Sequence, residues 1–118
     1  MNIKATLNFK MYNKMSEISY EEASRLRKKY PNRAPILVKT KGDIDLDRSK
    51  YLVPFDLKLA EFMMVLRKRI RNVEAYEGLY MFIDGRMFTP NMTLGQVWHS
   101  IEEVYYLEVT LTKESTFG

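Results

Sequence analysis

Residues 50–70 decide the fold, and they read KYLVPFDLKLAEFMMVLRKRI. The run that opens this stretch is apolar-rich and ends at Pro54, and proline in sheets is confined to edge strands and strand ends. From Leu57 to Ile70 the apolar residues recur at helical spacing, and basic residues occupy the last turn, where they complement the helix dipole. The stretch therefore predicts an edge strand followed by a long amphipathic helix.

The residues before this stretch predict a partner for the edge strand. Ile36–Thr40 is a second short apolar-rich run, and an acidic loop at Gly42–Asp47 separates it from Lys50–Val53. Two such runs joined by a short loop indicate an antiparallel hairpin.

A helix is predicted upstream of the hairpin. Ser19 and Glu22 have the spacing of a capping box, in which Ser19 is the N-cap and Glu22 lies at N3. The helix should extend to about Lys29, because Pro31 disfavours helical geometry in the residue before it.

Three further elements are predicted after the long helix. An apolar run indicates a buried strand, and Asp84-Gly85 indicates a tight turn behind it. A second capping box, formed by Thr93 and Gln96, opens a short helix, and a final strand follows it. The predicted bounds are Leu79–Ile83, Thr93 to about Glu102, and Tyr106–Leu111.

The order of these elements is helix, strand, strand, long helix, strand, short helix, strand. A hairpin crossed by one long helix, with later strands completing a mixed sheet, is an α+β two-layer design. The predicted fold is the ubiquitin-like β-grasp, a four-stranded mixed sheet with a crossing long helix, plus an N-terminal helical extension.

Composition indicates one ordinary globular domain and excludes several kinds of site. The chain has 118 residues, of which 46% are hydrophobic and 29% are charged. No apolar run approaches the ~20 residues of a membrane span, and the N-terminus lacks the apolar segment of a signal peptide. We therefore expect a cytosolic or nuclear protein whose membrane contact is peripheral or covalent.

Cysteine and histidine, two residue types that often carry catalysis, are nearly absent. The sequence has no cysteine, which excludes disulfides, thiolate nucleophiles and cysteine-based zinc sites. His99 is the single histidine, which excludes a paired-histidine metal site, and we expect it to be a surface or helix-packing residue and not the base of a Ser-His triad. We expect no enzyme activity, no metal and no cofactor.

The positive charge lies in the N-terminal third. Residues 1–35 contain eight Lys and Arg against three Asp and Glu, and residues 36–118 contain eleven against twelve. Such a face attracts acidic partners such as peptides, tubulin tails, anionic lipid or nucleic acid, although a solvated face is the commonest explanation of a charge cluster. Residues 1–11 alternate between apolar and polar, which indicates a strand, while the spacing of Ile3, Leu7 and Met11 also permits a helix.

The chain ends in Phe117-Gly118, on a short arm beyond the last strand. A glycine without a Cβ can enter the narrow active site of another enzyme in almost any backbone conformation. This is typical of a terminal carboxylate that partner enzymes use, although many chains end in glycine by chance.

Five runs in register resemble the autophagy ubiquitin-like modifiers, the GABARAP and microtubule-associated protein light chain 3 family. The resemblance extends from about Glu22 to the end of the chain, and the domain division it implies is a variable segment at 1–18, a helix at 19–31, the ubiquitin-like domain at 32–113 and a conjugation tail at 114–118. The matching runs are Leu26–Arg33, Lys50–Pro54, Val65–Ile70, Thr93–Gln96 and Glu114–Gly118.

The resemblance implies a covalent modifier. In the family, activating and conjugating enzymes pass the terminal glycine, here Gly118, to the amine of phosphatidylethanolamine, and a cysteine protease cleaves the conjugate. The implied location is the cytoplasm, and the autophagosome membrane after lipidation. There are two alternatives. The protein could be a modifier attached to a protein lysine, or a non-covalent adaptor that binds tubulin or nucleic acid through the basic N-terminal third. Nucleic acid is the less favoured partner.

The resemblance also implies capture of acidic-hydrophobic peptides from cargo receptors by strand addition to the hairpin edge. Pattern alone leaves core and pocket wall open for Leu37, Phe62, Val65 and Leu66, since any β-grasp domain would bury them. The implied first pocket is Glu22, Leu26, Pro35, Leu37, Lys50, Leu52 and Tyr106; the second is Tyr51, Val53, Pro54, Leu57, Phe62, Val65 and Leu66; and the acidic flank would meet Arg33, Lys50 and Arg69.

The sequence departs from the family in three places. The loop at Lys41–Asp47 is shorter, Tyr106 replaces the usual phenylalanine, and residues 1–18 match poorly. A hypothesis follows for Ile3–Met11, which could pair as a strand with the edge at Lys50–Val53, in its own molecule or a neighbour, and compete with cargo peptides; a disordered tail is the alternative. Deletion of residues 1–15 should then tighten peptide binding.

Overall fold

A computed structural model describes residues 18–102 and 104–113. The predicted strand or helix at residues 1–11, its pairing with the hairpin edge, and the tail with Gly118 lie outside the described residues. The elements are α1 (Tyr20–Lys29), β1 (Arg33–Lys41), β2 (Lys50–Pro54), α2 (Leu59–Arg69), β3 (Tyr80–Ile83), α3 (Leu94–Ser100) and β4 (Leu107–Thr112).

The four strands form one mixed sheet in the order β2-β1-β4-β3. β1 pairs antiparallel with β2 and parallel with β4, and β3 pairs antiparallel with β4. The predicted β-grasp sheet and its N-terminal helical extension are confirmed.

The sheet is covered on both faces. One face packs against α2 and α3, and the main core between them includes Ile36, Tyr51, Phe62, Leu66 and Trp98. The opposite face packs against α1, in what we call the α1-side cluster: Ile18, Ala23, Leu26, Leu37 and Leu52. The helical extension therefore adds a third layer to the two-layer core predicted from sequence.

The caps explain where two of the helices begin. Thr93 Oγ1 accepts the Gln96 N–H at 3.1 Å, and Gln96 Oε1 accepts the Thr93 N–H at 2.9 Å. Ser19 Oγ accepts the Glu22 N–H at 3.0 Å, as predicted, whereas the Glu22 carboxylate is directed to Lys50. The second capping box is thus confirmed in full, and the first is confirmed only for its serine.

The observed bounds differ from the predicted ones by a few residues. α2 begins at Leu59 instead of Leu57, because the Leu57 carbonyl accepts the Leu94 N–H at 2.9 Å and joins the starts of α2 and α3. β1 begins at Arg33, three residues before the predicted Ile36. The turn at Asp84-Gly85 is confirmed, with positive φ at both residues.

The hairpin loop is attached to the end of α2. Leu46 forms a bridge with Ile70, and the Arg71 N–H donates to the Asp45 carbonyl at 2.9 Å. Asn72 Oδ1 accepts the Asp45 N–H at 2.8 Å. Backbone and side-chain bonds therefore fix this loop to the segment that follows α2.

Candidate functional site

β2 is an edge strand among the four described strands, because only β1 pairs with it. Two hydrogen bonds at the ends of the β1–β2 pair show which of its residue pairs are hydrogen-bonded. The Val38 N–H donates to the Ser49 carbonyl at 2.7 Å, and the Phe55 N–H donates to the Asn32 carbonyl at 2.9 Å. Partners in an antiparallel pair alternate between bonded and non-bonded positions. Ser49 and Phe55 therefore turn their backbone groups towards β1.

The same alternation gives the outward-facing groups of β2. Tyr51 and Val53 bond to β1, so the N–H and C=O groups of Lys50 and Leu52 point away from the sheet. Pro54 has no N–H, and its carbonyl accepts the Leu57 N–H at 3.2 Å. Two donors and two acceptors thus form a short edge that an extended peptide could extend by one strand.

The predicted first pocket lies on the α1 side of this edge. Leu26, Leu37 and Leu52 are buried together, and Tyr106 packs against them. Pro35 faces Leu52 across the hairpin. The structure therefore brings the apolar members of this set together.

Lys50 and Glu22 close the polar side of the first pocket. Lys50 Nζ lies 3.4 Å from Glu22 Oε1, and the two side chains are 2% and 20% exposed. A buried ammonium group needs such a partner, because desolvation of an isolated charge is very costly. The pair holds the start of α1 against β2.

The predicted second pocket lies on the α2 side, where most of its members belong to the core. Tyr51, Val53, Leu57, Phe62 and Leu66 are all at most 2% exposed. Val65 and Pro54 are half-buried and lie at the rim. A peptide side chain could enter here only if these residues moved, so the second pocket stays a prediction.

Tyr51 carries a feature that its pattern did not indicate. Its ring contacts Phe62 edge-on, with centroids 5.8 Å apart, and its buried hydroxyl has no hydrogen-bond partner among the described residues. Burial, followed by the negative charge of Asp47, raises the pKa of Tyr51 well above its usual range. The second-pocket wall thus contains an unsatisfied polar atom.

The three predicted acid-binding residues differ in their present partners. Lys50 is paired with Glu22, and Arg69 Nη1 lies 3.4 Å from Asp47 Oδ2. Arg33 is half-buried, and its buried Nη1 has no acceptor among the described residues. The guanidinium of Arg33 therefore has an unused donor, whereas Lys50 and Arg69 already contact carboxylates of the same chain.

Arg27 joins α1 to the rest of the domain, a role that sequence reasoning missed. Its Nη1 donates to the carbonyls of Pro31 and, at 3.0 Å, of Arg33. Its guanidinium also lies over the Trp98 ring, 5.2 Å from the centroid. In the sequence Arg27 is one of several basic residues at the end of a predicted helix. No local pattern links it to Trp98, so the sequence held no signal for this role.

Two negative observations concern residues 18–102 and 104–113 alone. No helix in these ranges has the length and apolar character needed to cross a membrane. In the same ranges no group of three or more His, Asp or Glu residues could hold a metal ion.

Comparison with known proteins agrees with the resemblance drawn from the five sequence runs. The family model described as "Autophagy protein Atg8 ubiquitin like" matches residues 19–118. The crystal structure of Trypanosoma brucei ATG8 is similar, with a TM-score of 0.70 and 28% sequence identity, over 93% of this chain and 100% of that chain. The similarity thus covers the sheet, all three helices and the C-terminal run.

Proposed function

The chain belongs to the Atg8 family of autophagy ubiquitin-like modifiers, and we propose that it is conjugated through Gly118 to phosphatidylethanolamine and captures acidic-hydrophobic peptides at the β2 edge.

The outward-facing backbone of Lys50 and Leu52 is the observation that carries the peptide proposal. Strand addition needs unpaired N–H and C=O groups, and this edge offers two of each beside a buried apolar cluster and basic side chains. Two large apolar anchors would contribute roughly 1.5–3 kcal/mol each. Main-chain bonds and charge would supply the rest of the ~8 kcal/mol of a micromolar complex.

The lipid proposal rests on the family and on the Glu114–Gly118 run. A single acyl chain anchors a protein only marginally, whereas two chains hold it stably, so the two chains of phosphatidylethanolamine suffice. The proposed partners are the activating and conjugating enzymes, a deconjugating cysteine protease, and cargo receptors. The proposed locations are the cytoplasm and the autophagosome membrane.

The conjugation proposal is tested by incubating the protein with the activating and conjugating enzymes, ATP to activate the carboxylate, and phosphatidylethanolamine liposomes. Mass spectrometry should show a phosphatidylethanolamine adduct on the wild type and none on Gly118→Ala. An isopeptide to a protein lysine would support the alternative modifier, and an adduct that fragmentation places at any residue other than 118 would refute the attachment point.

The peptide proposal is tested with backbone-methylated ligands. An extended peptide turns alternate N–H groups towards β2, so N-methylation of those residues should abolish binding in titration calorimetry. N-methylation of the intervening residues, which changes the same number of atoms, should leave the affinity within about twofold. Equal effects in both series would exclude strand addition.

A further inference from the structure

Arg69 already contacts a carboxylate of its own chain. Asp47 Oδ2 lies 3.4 Å from Arg69 Nη1, and the two side chains are 29% and 33% exposed. A pair this exposed is weak and screened by salt. The ion pair alone would therefore not keep Asp47 in place.

Backbone bonds hold Asp47 beside Arg69. The Asp47 N–H donates to the Arg69 carbonyl at 3.2 Å, and the adjacent residues Leu46 and Ile70 form a bridge. The carboxylate is thus positioned by the loop, and it stays beside the guanidinium even when the pair contributes little energy.

The two ends of the β2 edge consequently offer different groups to an acidic peptide. Asp47 lies three residues before Lys50, at the loop end of β2, where Arg69 is already occupied. Arg33 lies opposite Pro54 at the other end, is only half-buried, and forms no ion pair with a carboxylate of the described residues. A peptide carboxylate gains more from a guanidinium that has no ion-pair partner than from one that it must share with Asp47.

We propose that Asp47 is a specificity-determining residue that occupies Arg69 and makes the β2 edge prefer peptides whose acidic flank lies at the Arg33–Pro54 end. This inference rests on the proposed peptide site and assigns to it a preference for one flank. Asp47 acts as an intramolecular competitor, so its removal should release Arg69 for ligands with acids on the disfavoured flank.

The test compares three peptides with identical apolar anchors. One carries three glutamates before the anchors, one carries them after the anchors, and one carries glutamines at all six positions. Wild type should prefer one acidic peptide over the other, whichever direction the peptide takes along β2. Asp47→Asn should tighten the disfavoured peptide by about two- to fivefold at low salt and leave the glutamine peptide unchanged.

Asp45→Asn is the matched control. Asp45 lies in the same loop, pairs with Arg71 at 2.7 Å, and is more exposed than Asp47. Its replacement removes the same charge without freeing Arg69, so both acidic peptides should bind as they do to wild type. Adding Arg69→Gln to Asp47→Asn should abolish the gain.

The outcomes separate this inference from the proposed function. Equal gains in Asp47→Asn and Asp45→Asn would show an effect of net charge only and would overturn the inference, as would no gain in either. In both of those cases the glutamine peptide still binds, and the peptide site stands. Failure of all three peptides to bind wild type would overturn the peptide site, and this inference with it.

Discussion

The guanidinium carbon of Arg27 lies 4.8 Å from the centroid of the Phe55 ring. This contact brings the C-terminal half of α1 onto the segment between β2 and α2. Phe55 in turn stacks on Trp98 of α3, with centroids 5.5 Å apart. One side chain thus couples the helical extension to two parts of the core.

Arg27→Ala should detach α1 from the domain without unfolding the sheet. The change removes charge-assisted hydrogen bonds to backbone carbonyls, each contributing about 1.5–3 kcal/mol, and the stacking on Phe55. Amide hydrogen exchange should show lost protection in α1 while β1 and β4 stay protected. The neighbouring exposed residue provides the control, since Lys28→Ala should leave protection unchanged, and uniform loss across the sheet would contradict a local role.

Glu22→Ala should lower the free energy of unfolding by about 3–5 kcal/mol, because it leaves the buried ammonium of Lys50 without a counter-charge. Urea denaturation at neutral pH measures the change. Lys39 and Glu108 form a matched exposed pair, 3.2 Å apart and each 45% exposed. Glu108→Ala should cost no more than about 1 kcal/mol; equal losses for the two variants would mean that burial of Lys50 is unimportant.

Tyr51→Phe should raise the free energy of unfolding by about 1 kcal/mol, because it removes a buried hydroxyl that has no partner among the described residues. The variant should also change the dependence of stability on pH. Burial raises the pKa of Tyr51 in the folded protein, so above about pH 10 only the unfolded chain loses this proton.

Below about pH 10 Tyr51 keeps its proton in both the folded and the unfolded chain, so it adds no pH dependence. As the pH rises from there towards the folded pKa, the unfolded chain ionises first and the free energy of unfolding falls. Urea denaturation of wild type and Tyr51→Phe between pH 8 and pH 11 should therefore show a steeper alkaline decline in wild type. Parallel curves would show that the hydroxyl is solvated or paired.

Gly95→Ala should lower the free energy of unfolding by about 1–3 kcal/mol. A Cβ at Gly95 would lie 3.2 Å from both the Cβ and the carbonyl oxygen of Phe55, and the Gly95 N–H donates to that same oxygen at 2.8 Å. This close approach explains the glycine in the run Thr93–Gln96.

Gly42 provides the comparison for thermal unfolding measurements. Its φ is +83° and its surroundings are open, so Gly42→Ala is unfavourable for backbone conformation alone. Asparagine tolerates this conformation, so Gly42→Asn should recover part of the loss. Gly95→Asn should be at least as harmful as Gly95→Ala, and recovery there would contradict the steric explanation.

Local signals in the sequence were sufficient for the elements and their order. Ser19 and Thr93 marked helix starts, and the apolar spacing from Leu57 to Ile70 marked α2, because caps and periodicity act within a few residues of the chain. The mixed sheet followed from the order of elements and the resemblance together.

Long-range pairings could not be predicted in the same way. Glu22 has the spacing of a capping-box residue, yet it pairs with Lys50, because a buried ammonium 28 residues away needs its charge more than the helix end does. Asp47 was one acid among several in a loop, and its position beside Arg69 depends on backbone bonds between that loop and α2. Periodicity likewise could not separate core from pocket at Phe62 and Leu66.

The interior position of β4 has a mechanical consequence. β4 bonds to β1 on one side and β3 on the other, and the tail with Gly118 follows it. A pull on a lipid-anchored tail would load β4 along its axis, so both ladders would have to shear together instead of opening one bond at a time. A peptide added to β2 would be two strands away, across β1. We therefore expect tension between a peptide on β2 and the start of the tail to pass through β1 and β4, with no loop of the described residues in the path of the force.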